Sequence, residues 1–295
     1  MTARVLDGVA IANAIRQDVA LDAAVLIKRG VIPGLAVVIV GEDPASQVYV
    51  ASKGKACLEA GMHSETIRLA SNATEAELLA VVDRLNADPR IHGFLVQLPL
   101  PKHISSERVL LRIDPNKDVD GFHPMNVGRV VVGDQTAFRP ATPFGIQQML
   151  VKSGIDTNGM HAVIVGRSNI VGKPIASLLV QDTPGGNCTV TICHSRSRDL
   201  PSLTRQADLL VVAIGKPEFV TAAMVKPGAV VVDVGINRVP DPAAAKGYRI
   251  VGDVAYAPVA EVASAITPVP GGVGKMTIAM LLMNTVQAAR QQAAG

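Results

Sequence analysis

A tyrosine and a lysine four residues apart stand out in "YVASKGKA". Tyr49 and Lys53 fall at i and i+4, so they share one face if the segment is helical, with Ser46 about one turn earlier and Lys55 pointing elsewhere. A flat ring beside an ammonium suits the stacking of a planar substrate with proton transfer next to it. A lysine exchanges protons near neutrality only if its pKa falls, which burial brings about. Alone, the pair also fits a solvated helix face. Gln97 ends the apolar run of "FLVQLPLP", and strand C-termini are where open α/β sheets place ligands. It is a neutral donor and acceptor in a proline-stiffened segment, equally able to bond local backbone. The loop "DPNKDVDGFHP" (114–124) carries three acids. A calcium loop is excluded, because no Glu stands at the twelfth position and Val119 breaks the ligand alternation. A single carboxylate, Asp120 beside Gly121, suits an amino-substituted heterocycle through paired hydrogen bonds. His123 before Pro124 reads as a structural turn histidine.

A second kind of chemistry lies in "VIVGRSNIVGKP" (163–174). An apolar strand meets Gly166, a short loop, then Gly172 opening a helix. Gly166 can make the tight turn, and Gly172 allows close backbone approach at a helix end whose free N–H groups face a phosphate. Ser168 stands where a second glycine is usual, with a hydroxyl for phosphate oxygens. NAD-binding folds end their second strand in Asp or Glu to hold the ribose hydroxyls. Here that strand ends in His194, Ser195 and Arg196. Arg167 and Arg196 suit a 2′-phosphate, so the loop favours NADP over NAD. An ordinary strand-to-helix turn with solvated arginines, or a nucleotide-sensing module, fits the motif taken by itself.

Short β-branched runs alternating with helical stretches must position these residues, the pattern of an α/β fold with a mostly parallel sheet. A first helix is expected from Asp7-Gly8 to Gly30, a buried strand at 35–40, and a helix capped by Ser46 and stopped at Gly61. A strand follows at 63–69, then a helix opened by a Thr74/Glu77 capping box, and a strand at 91–97. Residues 99–143 form a long connection rich in Pro and Gly. A helix near 144–153 leads to a second series, with strands near 161–166, 188–193, 208–214 and 229–234. The chain closes on "ITPVPGGVG" and an apolar helix, which has no strand after it and is expected to return to the first domain.

The 295 residues allow one large or two ordinary domains, and 48% hydrophobic content with 18% charge supports a sizeable core. A net charge of +3 is too mild to point to nucleic acid or a membrane surface as partner. Apolar runs stay well short of the roughly 20 residues of a membrane helix. Three cysteines, Cys57, Cys188 and Cys193, form no even framework. With no signal-type start, this composition points to the cytoplasm.

Taken together, these stretches resemble the bifunctional methylenetetrahydrofolate dehydrogenase/cyclohydrolase family. The matching residues are "YVASKGKA", "VQLPLP", "KDVDGFHPMNVGR", "TPFG", "GRSNIVGKP", "HSR", "KPGAVVVDVGIN", "GDV" and "ITPVPGGVG", in the family's order over nearly the whole chain. The resemblance implies a three-layer α/β folate-binding domain of residues 1–141 plus 275–295 and a Rossmann NADP-binding domain of 142–274. It also implies a homodimer and a part in one-carbon metabolism and purine biosynthesis, with no metal. Residue by residue, Lys53 matches the catalytic lysine, Gln97 the glutamine that assists it, Tyr49 the ring that stacks on the folate, and Asp120 the carboxylate that holds the pterin. Gly166, Arg167, Ser168, Ser195 and Ile236 match cofactor contacts, and Val269, Pro270 and Gly271 fall in the segment lining the substrate cleft. Two positions depart from the pattern: Ala141 replaces a common cysteine, and Lys275 replaces a proline at the entry to the last helix.

Overall fold

The computed structural model describes residues 2–244 and 246–294; Met1, Ala245 and Gly295 lie outside that description. The chain opens with a two-residue strand β1 (Arg4–Val5) and helix α1 (Gly8–Lys28). Asp7 Oδ1 caps α1 by accepting from the N–H groups of Val9 and Ala10 at 2.9 and 3.1 Å, and Gly30, at φ +86°, ends it. Strand β2 (Gly34–Val40) is buried along its whole length. It is followed by α2 (Pro44–Glu59), β3 (His63–Leu69), α3 (Glu75–Ala87) and β4 (Gly93–Val96). The capping box opens α3 as expected: Thr74 N–H donates to Glu77 Oε2 at 2.7 Å, and Glu77 N–H donates to Thr74 Oγ1 at 3.2 Å. The Pro- and Gly-rich connection holds two short helices, α4 (Ser106–Arg112) and α5 (Pro124–Val131), capped by Ser105 and His123. Next comes α6 (Ala141–Lys152), starting three residues earlier than its expected position.

The second series runs β5 (His161–Val165), α7 (Gly172–Leu179), β6 (Thr189–Cys193), α8 (Leu200–Thr204), β7 (Leu209–Val212) and β8 (Val230–Asp233). A hairpin of β9 (Asn237–Pro240) and β10 (Tyr248–Val251) follows, then α9 (Tyr256–Ala260), β11 (Ala265–Ile266) and the long helix α10 (Val273–Ala294). The hairpin and the two-residue strands carry too little apolar periodicity to be read from sequence.

Two compact units result. In one, Asn13–Ala141 joins the residues from Ile278 onward, around a three-stranded parallel sheet ordered β3-β2-β4. Ala36, Val38, Leu78, Leu85, Ile91 and Phe94 pack its core. The return of the last helix has a polar basis: Asn284 Nδ2 donates to the carbonyls of Val119 and Arg139, and Gln292 Nε2 to those of His92 and Asn116. The other unit joins the residues up to Ala12 with Thr142–Thr277. Its six-stranded sheet is ordered β1-β11-β8-β7-β5-β6, with all pairs parallel. The expected division kept residues 1–12 with the first domain. They group with the six-stranded sheet because Arg4 and Val5 pair with Ala265 and Ile266.

Candidate active site

Lys53 is placed by α2, whose start differs from expectation. Asp43, not Ser46, caps it: Asp43 Oδ2 accepts from Ser46 N–H at 2.8 Å, and Pro44 occupies the first turn, where its missing N–H costs nothing. The helix covers β2 and β3 and turns Lys53 inward, only 3% exposed, while Lys55 stays outside in an ion pair with Glu59. Lys53 Nζ donates to Gln97 Oε1 at 3.1 Å and lies 4.7 Å from the centroid of the half-buried Tyr49 ring. Gln97 is itself fixed at the C-terminal end of β4. Its N–H donates to Val38 O at 2.8 Å and its Nε2 to Leu98 O at 2.8 Å, which turns Oε1 toward the lysine.

Burial lowers the Lys53 pKa below that of an ordinary lysine, and the charge of Asp120 pulls part of the way back. Burial likewise raises the Asp120 carboxyl, opposed by Lys53. The two groups are thus coupled. Asp120 is carried by a segment that runs beside β4: Phe94 N–H donates to Lys117 O at 2.9 Å, and Phe94 bridges Asp118 in parallel sense. Two glycines make this possible. A Cβ on Gly93 would stand 2.1 Å from Val119 Cγ1, and Gly121, at φ +73°, turns the chain where a Cβ would stand 2.7 Å from Phe138 O.

Asp118 adjoins the site without a spacing that marks it in the sequence. It is 1% exposed and closes the turn behind Asp120. Its Oδ2 accepts from His123 N–H at 2.8 Å and Asn126 Nδ2 at 2.9 Å. Burial outweighs these donors and pushes its carboxyl up to about 7. The D-x-D spacing would put both carboxylates on one side of a fully extended segment, but turn bonds from Val119 N–H to Lys117 O at 2.9 Å and from Gly121 N–H to Asp118 O at 3.1 Å break that alternation.

In the nucleotide sheet, Gly166 (φ +136°) follows β5, and a Cβ there would lie 2.2 Å from Ala213 O. A Cβ on Gly172 would lie 2.2 Å from Gly166 O. Both positions therefore admit glycine alone, and the turn keeps its backbone open to a pyrophosphate. Ser168 Oγ accepts from the N–H groups of Val171 and Gly172, at 3.1 and 3.3 Å, so the hydroxyl already stands at the helix N-terminus where a phosphate oxygen would. Arg167, Ser195, Arg196 and Ile236 are all exposed. At the end of β6, Arg196 N–H donates to His194 Nδ1 at 3.1 Å. The residues present fit a dinucleotide with a 2′-phosphate. Val269, Pro270 and Gly271 form the turn after β11, with a cis Val269–Pro270 bond. Lys275 is exposed in the first turn of α10, and its N–H donates to Gly272 O at 3.2 Å, a bond the family's proline lacks.

The structure thus brings Tyr49, Lys53, Gln97 and Asp120 into one unit and gathers the dinucleotide residues on the other. A sheet that fits a dinucleotide, on the same chain as a buried lysine of lowered pKa bonded to an amide, defines the class: a dinucleotide-dependent α/β enzyme. Comparison with known proteins narrows it. Residues 6–120 match the catalytic domain of tetrahydrofolate dehydrogenase/cyclohydrolase, and residues 140–293 match the NAD(P)-binding domain of the same enzyme. The chain is 56% identical over 290 residues to the bifunctional protein FolD of Chlorobium phaeobacteroides, covering 98% of both chains. It is 58% identical over 289 residues to bifunctional protein FolD 1 of Myxococcus xanthus, again covering 98% of both. Among solved structures, the FolD methylenetetrahydrofolate dehydrogenase/cyclohydrolase of Campylobacter jejuni superposes with a TM-score of 0.92 at 48% identity, over 98% of this chain and 99% of that one. The Trypanosoma brucei enzyme, solved with NADP and an inhibitor, gives 0.93 at 38% identity over the whole of both chains. The chain belongs to the tetrahydrofolate dehydrogenase/cyclohydrolase family.

Proposed function

We infer that this chain oxidises 5,10-methylenetetrahydrofolate to the 5,10-methenyl cation with NADP, and hydrolyses that cation to 10-formyltetrahydrofolate, with Lys53 as the catalytic lysine. The observation that carries the assignment is the buried Lys53 ammonium on Gln97 Oε1, beside the Tyr49 ring. Tyr49 supplies a face for the flat part of the substrate, and Asp120 accepts paired N–H groups from the pterin. NADP, when bound, supplies the hydride acceptor. Gly166, Arg167, Ser168, Ser195, Arg196 and Ile236 hold it, with the arginines at the 2′-phosphate. Val269, Pro270 and Gly271 wall the substrate cleft.

For hydrolysis, neutral Lys53 takes a proton from water as its oxygen bonds to the methenyl carbon. The resulting ammonium returns a proton to N5 as the carbon–N5 bond breaks, leaving the formyl group on N10 and releasing one proton overall. The lowered pKa makes the neutral amine accessible, and Gln97 holds the side chain in place as it cycles. The product supplies formyl groups for purine biosynthesis. The working form is a cytoplasmic homodimer. No helix among the described residues is long and apolar enough to cross a membrane.

The test is to mix protein, NADP and methylene-folate and follow absorbance. Reduced cofactor and methenyl-folate should both appear, and the methenyl signal should then decay. Cofactor binding without turnover would leave a nucleotide-sensing module instead.

A further inference from the structure

Two buried carboxylates at the ends of β7 and β8 take no part in the chemistry above. Asp253, in "GDV" after β10, is 0% exposed. Its Oδ2 accepts from the N–H groups of Ile214 and Gly215, at 2.7 and 2.9 Å. Its Oδ1 accepts from Lys216 N–H at 2.8 Å and from Asn237 Nδ2 at 2.9 Å. All four donors are neutral N–H groups, so backbone and amide dipoles compensate the carboxylate. Asp233, ending β8, receives Asp253 N–H and Gly235 N–H on Oδ1 and Val254 N–H on Oδ2, each at 2.9 Å. Glycines admit both carboxylates: a Cβ on Gly252 would stand 1.8 Å from Asp233 Oδ2, and one on Gly235 2.4 Å from Asp253 Oδ1. The ends of β7, β8 and β10 are locked together by this pair.

The segment Asp253 holds is next to the phosphate turn. Residues 213–216 directly follow β7, and Ala213 O is the atom that forbids a Cβ on Gly166. The sheet changes direction at β5, with β6 on one side and β7 on the other. A dinucleotide lies across such a switch point, one half to each side. Ser195 and Arg196 follow directly on β6, so the 2′-phosphate belongs to the β6 side and the nicotinamide to the β7 side. Asn237, the fourth donor, adjoins Ile236.

We propose that Asp253 is a positioning residue for the nicotinamide half of the cofactor site, gathering residues 214–216 and Asn237 into the edge against which that half binds. This rests on the placing of the 2′-phosphate at Arg167 and Arg196. Replacing Asp253 by Asn puts an N–H group where an acceptor is needed and should release one side of the edge.

The experiment measures the NADP KM, the dissociation constant of 2′,5′-ADP and methenyl-folate hydrolysis in Asp253→Asn. The fragment reports the β6 side alone. The NADP KM should rise about tenfold or more, while fragment binding and hydrolysis stay within about twofold of wild type. An NADP KM within about twofold of wild type overturns the proposal. So does an equal loss of NADP and fragment, because the carboxylate would then support the unit as a whole. If Asp253→Asn does not fold, Asn237→Ala carries the test: a rise of about threefold or more in NADP KM with unchanged fragment binding supports the proposal, and an unchanged KM overturns it. Fragment binding to the Arg167→Ala/Arg196→Ala variant checks the 2′-phosphate assignment separately.

Discussion

Lys53 Nζ donates to Gln97 Oε1 across 3.1 Å, joining a helix residue to a strand end 44 positions further along the chain. On the function proposed above, Lys53 is the proton carrier of the site. Lys53→Met should lower methenyl-folate hydrolysis by roughly 10²–10⁴, the usual loss for a positioned acid–base group. NADP binding, measured by titration, should be unchanged. Near-normal hydrolysis would remove Lys53 from the mechanism.

Gln97→Glu tests the same contact by charge. A carboxylate beside the ammonium favours the charged form, so the Lys53 pKa should rise. Hydrolysis needs the neutral amine, so the ascending limb of its pH profile should move to higher pH. A limb that stays put, or moves down, would show that Gln97 does not set the lysine's proton affinity.

Asp120→Ala should weaken folate binding far more than NADP binding. A carboxylate paired with ring N–H groups makes a charge-assisted contact worth roughly 1.5–3 kcal/mol. Parallel titrations of both ligands decide the matter, and equal losses would assign Asp120 a structural role.

Arg167→Ala together with Arg196→Ala should collapse the preference for NADP over NAD. Each charge-assisted bond to a phosphate contributes roughly 1.5–3 kcal/mol, a preference of about tenfold to a hundredfold per arginine. The loss should fall on the NADP KM and leave use of NAD little changed. Values of kcat/KM for both cofactors in single and double variants check this. A double variant that keeps the wild-type ratio would place 2′-phosphate recognition elsewhere.

Asp118 predicts a pH dependence of stability. Its folded carboxyl is raised from 3.8 to about 7. Between those values the folded chain binds a proton that the unfolded chain does not. This contribution is therefore present below pH 3.8, is lost as pH rises toward 7, and is flat beyond. Asp118→Asn removes it, so the stability difference between wild type and variant should change by about 1.4 kcal/mol per pH unit across that window. Denaturant melts at several pH values measure it, and parallel profiles would mean that Asp118 does not titrate there.

The legible parts of the fold are those where local chemistry and tertiary structure agree. The Thr74/Glu77 box opens its helix because each side chain satisfies the other's N–H, a bond that needs no distant partner. The parallel strands β2, β5, β7 and β8 are legible because they are buried on both faces and so read as unbroken apolar runs. Asp43 was passed over as the α2 cap in favour of Ser46, though Pro44 in the first turn marks the true start. Helices α4 and α5 are hidden in a Pro- and Gly-rich stretch, since helices of about two turns, capped by Ser105 and His123, are too short to carry a sustained apolar repeat. In the site, Lys53 was marked by its spacing from Tyr49. Asp118 and Asp253 were not, because most of their partners are main-chain N–H groups, which any residue supplies, and each has a single asparagine amide besides, at no regular spacing.

The pairing of β1 with β11 has a consequence for biosynthesis. Strand β1 is made early, yet its one sheet neighbour among the described residues, Ala265–Ile266, emerges some 260 residues later. The other unit waits as long, since Asn284 and Gln292 on the last helix satisfy carbonyls of Val119, Arg139, His92 and Asn116. At elongation rates of roughly 5–20 residues per second, each unit waits on the order of ten seconds or more for the segment that completes it. Until then β1, the edge of β8 that receives β11, and the bed of the last helix stay open to other contacts.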